Sequence, residues 1–140
     1  MGKLSSAYAL IWCWGLALAL VFLVSSCGLA HAKNIPDELA VRCIVGEAAN
    51  QGEIGMYAVA SGLLNRGTTK GVYGCKNKQA DKEPKWVWKQ ARVALAKAKA
   101  KRLHRADHWE AIHKYGKPLW ANKMQLVYHY RDHYFYKYAR

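Results

Sequence analysis

The chain is short of acidic residues, with nine Asp and Glu against 22 Lys and Arg, for a formal charge of +13. That imbalance excludes a surface built for cationic partners and points to a polyanion. No internal repeat and no low-complexity tract is present, which excludes solenoid and linker-like organisation. The H-E-x-x-H arrangement of helical zinc enzymes is missing too, because Arg105 follows His104 where the glutamate would stand.

What is present begins with an export segment. Met1-Gly2-Lys3 gives a short positive start, an almost uncharged run extends from Leu4 through Ala30, and Ala30-His31-Ala32 supplies the small residues of a signal peptidase site. Residues 1–32 therefore read as a secretory signal peptide and are set apart from fold reasoning. Two alternatives stay open there. The apolar run is nearly long enough for an uncleaved membrane anchor, and Val24-Ser25-Ser26-Cys27 resembles a lipobox, with Cys27 as the lipidated residue. Each reading exports the remainder, to the periplasm or the outer face of the membrane, and the membrane enters only through this segment. Only Lys3 of the basic residues lies in it and none of the acids, leaving 33–140 at +12. Outside the cytoplasm nucleic acid drops out as a partner. Anionic lipids, envelope phosphates and peptidoglycan carboxylates remain.

Residues 33–140 fit one small, monomeric domain with one core. Pro36-Asp37-Glu38 opens a helix that runs through Leu39–Val45 and ends near Gly46–Gly52. Met56, Val59, Ala60, Leu63 and Leu64 fall at i, i+3, i+4, i+7 and i+8, predicting a helix over 53–65 with one buried stripe. A Gly-rich loop follows over 67–77. The third helix, 86–103, puts Val87, Ala91, Ala94, Leu95, Ala98 and Leu103 inside and its Lys and Arg in solvent. Ala106–Glu110 continues or restarts it. The aromatic–polar alternation over 125–138 predicts a strand or an extended edge. The fold class is mainly α with a short β element near the C-terminus.

Glu47 is the first candidate for chemistry. It follows an apolar helix and has Val45, Gly46, Ala48 and Ala49 as neighbours. A carboxyl in apolar surroundings holds its proton toward neutrality, as a general acid requires. Small neighbours also leave room for a bulky sugar. Cys43 and Cys75 form an even pair in an oxidising compartment, and a bridge closing their loop of about thirty residues contributes about 3–4 kcal/mol.

Two blocks carry a family resemblance. Gly46-Glu47-Ala48, Gly55-Met56-Tyr57-Ala58-Val59-Ala60 and Leu64-Asn65-Arg66 form the first; His108-Trp109-Glu110, Gly116–Trp120 and His133–Tyr136 form the second. In order and spacing they resemble the SleB-type cell-wall hydrolases, named for spore cortex-lytic enzymes. The resemblance implies a lysozyme-like, lytic-transglycosylase-like single domain that acts on peptidoglycan without a cofactor, Glu47 being the catalytic glutamate. Some members carry a second Glu where this chain has Gln51, and several have a separate wall-binding domain without a counterpart here. In that light Trp109, Trp120, Tyr134 and Tyr136 are candidates to stack on sugar rings. Gln51, Asn65 and His133 are further substrate-binding candidates, Asn65 with helix capping as its alternative role.

Near Glu47 the sequence offers only Glu53 as a close carboxylate, Gln51 cannot ionise and Glu110 sits in the later block, so the simplest route uses Glu47 as acid and then as base. The muramyl sugar's own hydroxyl attacks, so a lytic transglycosylase is expected ahead of a hydrolase. One alternative is a zinc-dependent N-acetylmuramoyl-L-alanine amidase built on the i, i+4 pairs His104/His108 and His129/His133. The other is a non-catalytic basic module that binds the wall or assists lysis.

Overall fold

The computed structural model describes residues 35–139. The signal segment, Cys27 and the anchor alternative lie outside them. Among the described residues no helix is long and apolar enough to cross a membrane. Three helices pack together: α1 (Asp37–Ala48), α2 (Gly52–Arg66) and α3 (Lys85–Ala100). Pro36 precedes α1, and Asp37 and Glu38 occupy its first turn, where the helix dipole favours negative charge. A short 3-10 turn, Ala49–Gln51, joins α1 to α2. At the end of α2, Gly67 adopts a left-handed conformation (φ 68°) and its N–H caps Leu63 O.

The core has the composition that the periodicities predict. Met56, Val59, Ala60 and Leu63 of α2 are buried against Val41, Ile44 and Val45 of α1 and Val87, Ala91, Ala94, Leu95 and Ala98 of α3; Leu64 is partly buried. The long side chains of α3 reach across to acids on its neighbours. Arg92 pairs with Glu38, Lys97 with Glu53 and Lys99 with Asp37. The basic face is thus partly neutralised rather than wholly solvated.

The chain leaves α3 earlier than its composition suggests, and residues 106–110 do not restart the helix. Lys101 is extended (φ −151°, ψ 129°), and His108–Ala111 forms strand β1. The cause is a polar stripe on α2. Tyr57, Ser61 and Asn65, four residues apart, share one helix face. The Tyr57 hydroxyl donates to Lys101 O at 2.7 Å, Ser61 Oγ accepts from Leu103 N, and Asn65 Nδ2 donates to His104 O and Ala106 O, both at 2.8 Å. These bonds hold 101–106 extended along α2 and deliver the chain to the sheet.

The C-terminal part is one hairpin rather than one strand. Helix α4 (Ile112–Tyr115) is a single turn, closed by Gly116 at φ 79°. Strands β2 (Met124–Tyr130) and β3 (His133–Tyr138) then pair antiparallel around the two-residue turn Arg131-Asp132. The sheet order is β1-β3-β2, which sets β3 at the centre and explains why Phe135 and Tyr136 are its most buried aromatics. Trp109 of β1 lies opposite Phe135, placing its indole over the helices.

Candidate active site

Glu47 sits in the last turn of α1, half-buried, with both carboxylate oxygens occupied. Oε1 accepts from Gly74 N at 2.5 Å, and Oε2 accepts from the Trp109 indole N–H at 3.2 Å. The surroundings are therefore less apolar than the flanking residues suggest. Two N–H donors from distant parts of the chain fix the carboxylate, and each oxygen keeps a lone pair free for a transferable proton.

Two glycines make this approach sterically feasible. A Cβ on Gly46 would lie 2.0 Å from Gly74 O, and one on Gly74 would lie 2.4 Å from Glu47 Cγ. The 73–82 loop is also strapped to α1. Cys43 and Cys75 form a disulfide (S–S 2.05 Å), as the cysteine pair predicts. Arg42 donates to Cys75 O at 3.1 Å and forks onto Asp81, while Asn77 Nδ2 donates to Gly46 O at 3.1 Å. The neighbouring guanidinium holds the Asp81 carboxyl below its ordinary range.

A cleft of about 870 Å³ opens over Glu47, with Gln51, Tyr73, Trp109, Asp132 and His133 among its walls. A smaller hollow of about 350 Å³ shares Glu47, Tyr73, Trp109 and Glu110 with it and adds His108 and Trp120. Glu47 thus stands where the two join. Tyr73, 86% exposed, borders both.

The carboxylates divide by location. Asp37, Glu38, Glu53 and Asp81 pair with Lys99, Arg92, Lys97 and Arg42, and Asp107 pairs with the His108 ring. The other four, Glu47, Glu83, Glu110 and Asp132, all line the large cleft, and among the described residues none has a Lys or Arg partner. Glu53, the carboxylate closest to Glu47 in sequence, pairs with Lys97 and is not among the cleft's lining. Folding brings three more into the cleft from sequence-distant segments.

Across the cleft, Gln51 and His133 are 97% and 94% buried. Gln51 Nε2 donates to Asn50 Oδ1 (3.0 Å) and Asp132 Oδ2 (3.3 Å), whereas Gln51 Oε1 and His133 Nδ1 have no partner among the described residues. Burial pushes the His133 imidazole below its ordinary range, against the opposing charge of Asp132. Neutral, it can offer a ring nitrogen as an acceptor.

Of the other sequence-predicted residues, Trp109 and Trp120 line the cavities, Trp120 only the smaller. Asn65 does not, because its amide is committed to the backbone of 104–106. Tyr134 and Tyr136 also lie outside both linings. The Tyr134 hydroxyl meets His113 Nε2 at 3.1 Å and its ring stacks on His129; Tyr136 is buried with its ring edge against Trp120. These three line neither of the two cavities.

The histidine pairs behind the zinc alternative do not share a helix. His104 precedes β1, His108 opens it, and His129 and His133 sit on different strands. His104 contacts Ala58 O through Nε2 and accepts from Ala106 N at Nδ1, which consumes both ring nitrogens. Among the described residues no three His, Cys, Asp or Glu side chains converge on a common point.

No family model, curated protein or solved structure matches the chain. Sequence reading missed Tyr73, Gly74 and Asp132. Gly74 had a signal, as a glycine beside a cysteine in a loop, but nothing in that loop named Glu47 as its partner.

Proposed function

We propose that this chain cleaves the glycan strand of peptidoglycan between N-acetylmuramic acid and N-acetylglucosamine, with Glu47 as the general acid. The observation that carries the reading is a glutamate fixed by two N–H donors at the join of two cavities. A group so held can meet a glycosidic oxygen in one orientation, which is what proton transfer to a leaving group requires. The exposed rings of Tyr73 and Tyr115 in the cleft wall suit the apolar faces of sugars.

Charge and resemblance support the same reading. A net charge of +13 suits an anionic wall. The Gly46-Glu47 and His108-Trp109-Glu110 blocks that resemble SleB-type hydrolases meet at Glu47, and such enzymes act outside the cytoplasm on a lysozyme-like fold. Ring closure by the muramyl sugar's own hydroxyl is the proposed route, because an attached nucleophile needs no second molecule to be positioned. The test is digestion of purified peptidoglycan, with released muropeptides identified by mass. Anhydro-muramyl ends support the route; an intact glycan strand with freed peptides contradicts the function.

A further inference from the structure

The turn of the C-terminal hairpin is built for more than reversing the chain. Arg131 holds φ at 50°, a conformation uncommon for a residue with a side chain and kept where the surroundings enforce it. Two contacts dock the turn onto the junction of α1 and α2. The Arg131 guanidinium donates to Asn50 O (3.4 Å), and the Gln51 amide donates to Asp132 Oδ2 (3.3 Å). Asp132 thereby becomes a wall of the cleft that holds Glu47. Its carboxylate is exposed and has no Lys or Arg partner among the described residues, in a protein with a large surplus of cations. Two of the three buried side-chain polar atoms without partners among the described residues, Gln51 Oε1 and His133 Nδ1, belong to its hydrogen-bond partner and its chain neighbour; the third is Gln90 Oε1. A segment that buries Gln51 and His133 in this way is organised toward the cleft rather than for packing alone.

From this we infer that Asp132 is the second catalytic carboxylate, taking the proton of the hydroxyl that attacks the muramyl C1, with Gln51 as its positioning residue. The inference rests on the proposed glycan cleavage and assigns the base that it needs. The attacking oxygen forms a bond to C1 while the C1–O4 glycosidic bond breaks. The attacking hydroxyl's proton passes to Asp132, and the Glu47 proton passes to the departing O4. Asp132 ends protonated and Glu47 ionised, and exchange with water resets both. The other cleft carboxylates fit less well. Glu110 Oε1 accepts from its own neighbour Ala111 N, and Glu83, just before α3, is not among the hydrogen-bond partners of Gln51. The attacking hydroxyl is that of the muramyl sugar or of water; the chemistry asked of Asp132 is the same.

The experiment measures glycan cleavage by the full chain and by Asp132→Asn, Asp132→Ala and Asp132→Glu, with melting temperature as the folding control. Asp132→Asn should lower kcat at least about 100-fold with KM changed little, as expected for loss of a general base. Added formate should restore part of the rate to Asp132→Ala but none to Glu47→Gln, and Asp132→Glu should retain measurable activity. Digestion in 18O-water separates the sources, since labelled reducing ends mark water and unlabelled anhydro ends mark the sugar hydroxyl. Folded Asp132→Asn with activity close to the unaltered chain overturns this assignment and leaves Glu47 as both acid and base. Absence of glycan cleavage by the unaltered chain overturns the functional reading, and this one with it.

Discussion

The indole N–H of Trp109 reaches Glu47 Oε2 at 3.2 Å across 62 positions of sequence, tying the first strand of the sheet to the end of the first helix. A hydrogen bond to a charged group is worth about 1.5–3 kcal/mol. Trp109→Phe keeps most of the ring against Phe135 and removes only the donor. The expected result is a roughly tenfold or larger fall in kcat of the folded variant, with a stability loss of no more than about 3 kcal/mol. Parallel kinetics and thermal melting distinguish this from a packing role, in which stability would fall and the folded fraction would keep full activity.

Gly74→Ala places a methyl group 2.4 Å from Glu47 Cγ, so glutamate or loop must move. Cleavage should fall at least as far as in Trp109→Phe, because both the Oε1 contact and the carboxyl position are disturbed. A crystal structure of the variant should show Glu47 displaced. An unmoved Glu47 with normal activity would remove Gly74 from the site.

The Cys43–Cys75 bridge acts on stability and on the site together. Opening a link between residues 32 apart in sequence costs about 3–4 kcal/mol by loop entropy. It also frees the backbone next to Gly74. Denaturant titration of Cys43→Ser/Cys75→Ser should show the stability loss, and the folded fraction should cleave more slowly than the oxidised chain.

Stability should depend on pH through His104. Its imidazole is pushed down to about 4 by burial, against the raising effect of the Ala58 carbonyl. The folded state disfavours the charged ring, whereas the unfolded chain takes its proton near pH 6.5. Stability is therefore lost as pH falls from about 6.5 towards 4, by up to about 3 kcal/mol. His133, lowered mainly by burial, adds a loss of the same sign. Melting curves across this range should show a smaller acid loss for His104→Gln than for the unaltered chain, since glutamine does not titrate.

The three helices were legible in sequence because α1 is apolar on most faces and α2 and α3 bury apolar residues at helical spacing, and Met56–Leu63 is the clearest case. The sheet was not. His108–Ala111 looks like a continuation of a helical, basic segment, and the side chains that pull it straight (Tyr57, Ser61 and Asn65) belong to another helix. The aromatic alternation of the tail marked extended chain, but the turn at Arg131-Asp132 has none of the glycine or asparagine that usually announces a hairpin. The site divides in the same way. Glu47, Gln51, Trp109 and His133 were readable from local surroundings or resemblance. Asp132 and Tyr73 join them only through folding. Asn65, Tyr134 and Tyr136 lie outside both cavities, a placement that the sequence does not reveal because polar and aromatic residues serve structure and binding alike.

The central claim is that Glu47 gives the proton that breaks a glycan bond. The direct measurement is mass analysis of muropeptides released from purified peptidoglycan in 18O-water by the unaltered chain and by Glu47→Gln. The amide keeps the shape and can accept from only one of the Gly74 and Trp109 N–H groups, and it has no acidic proton to give. The account predicts unlabelled anhydro-muramyl ends from the unaltered chain and at least about a 100-fold loss in the folded variant. Undiminished release by Glu47→Gln would contradict it.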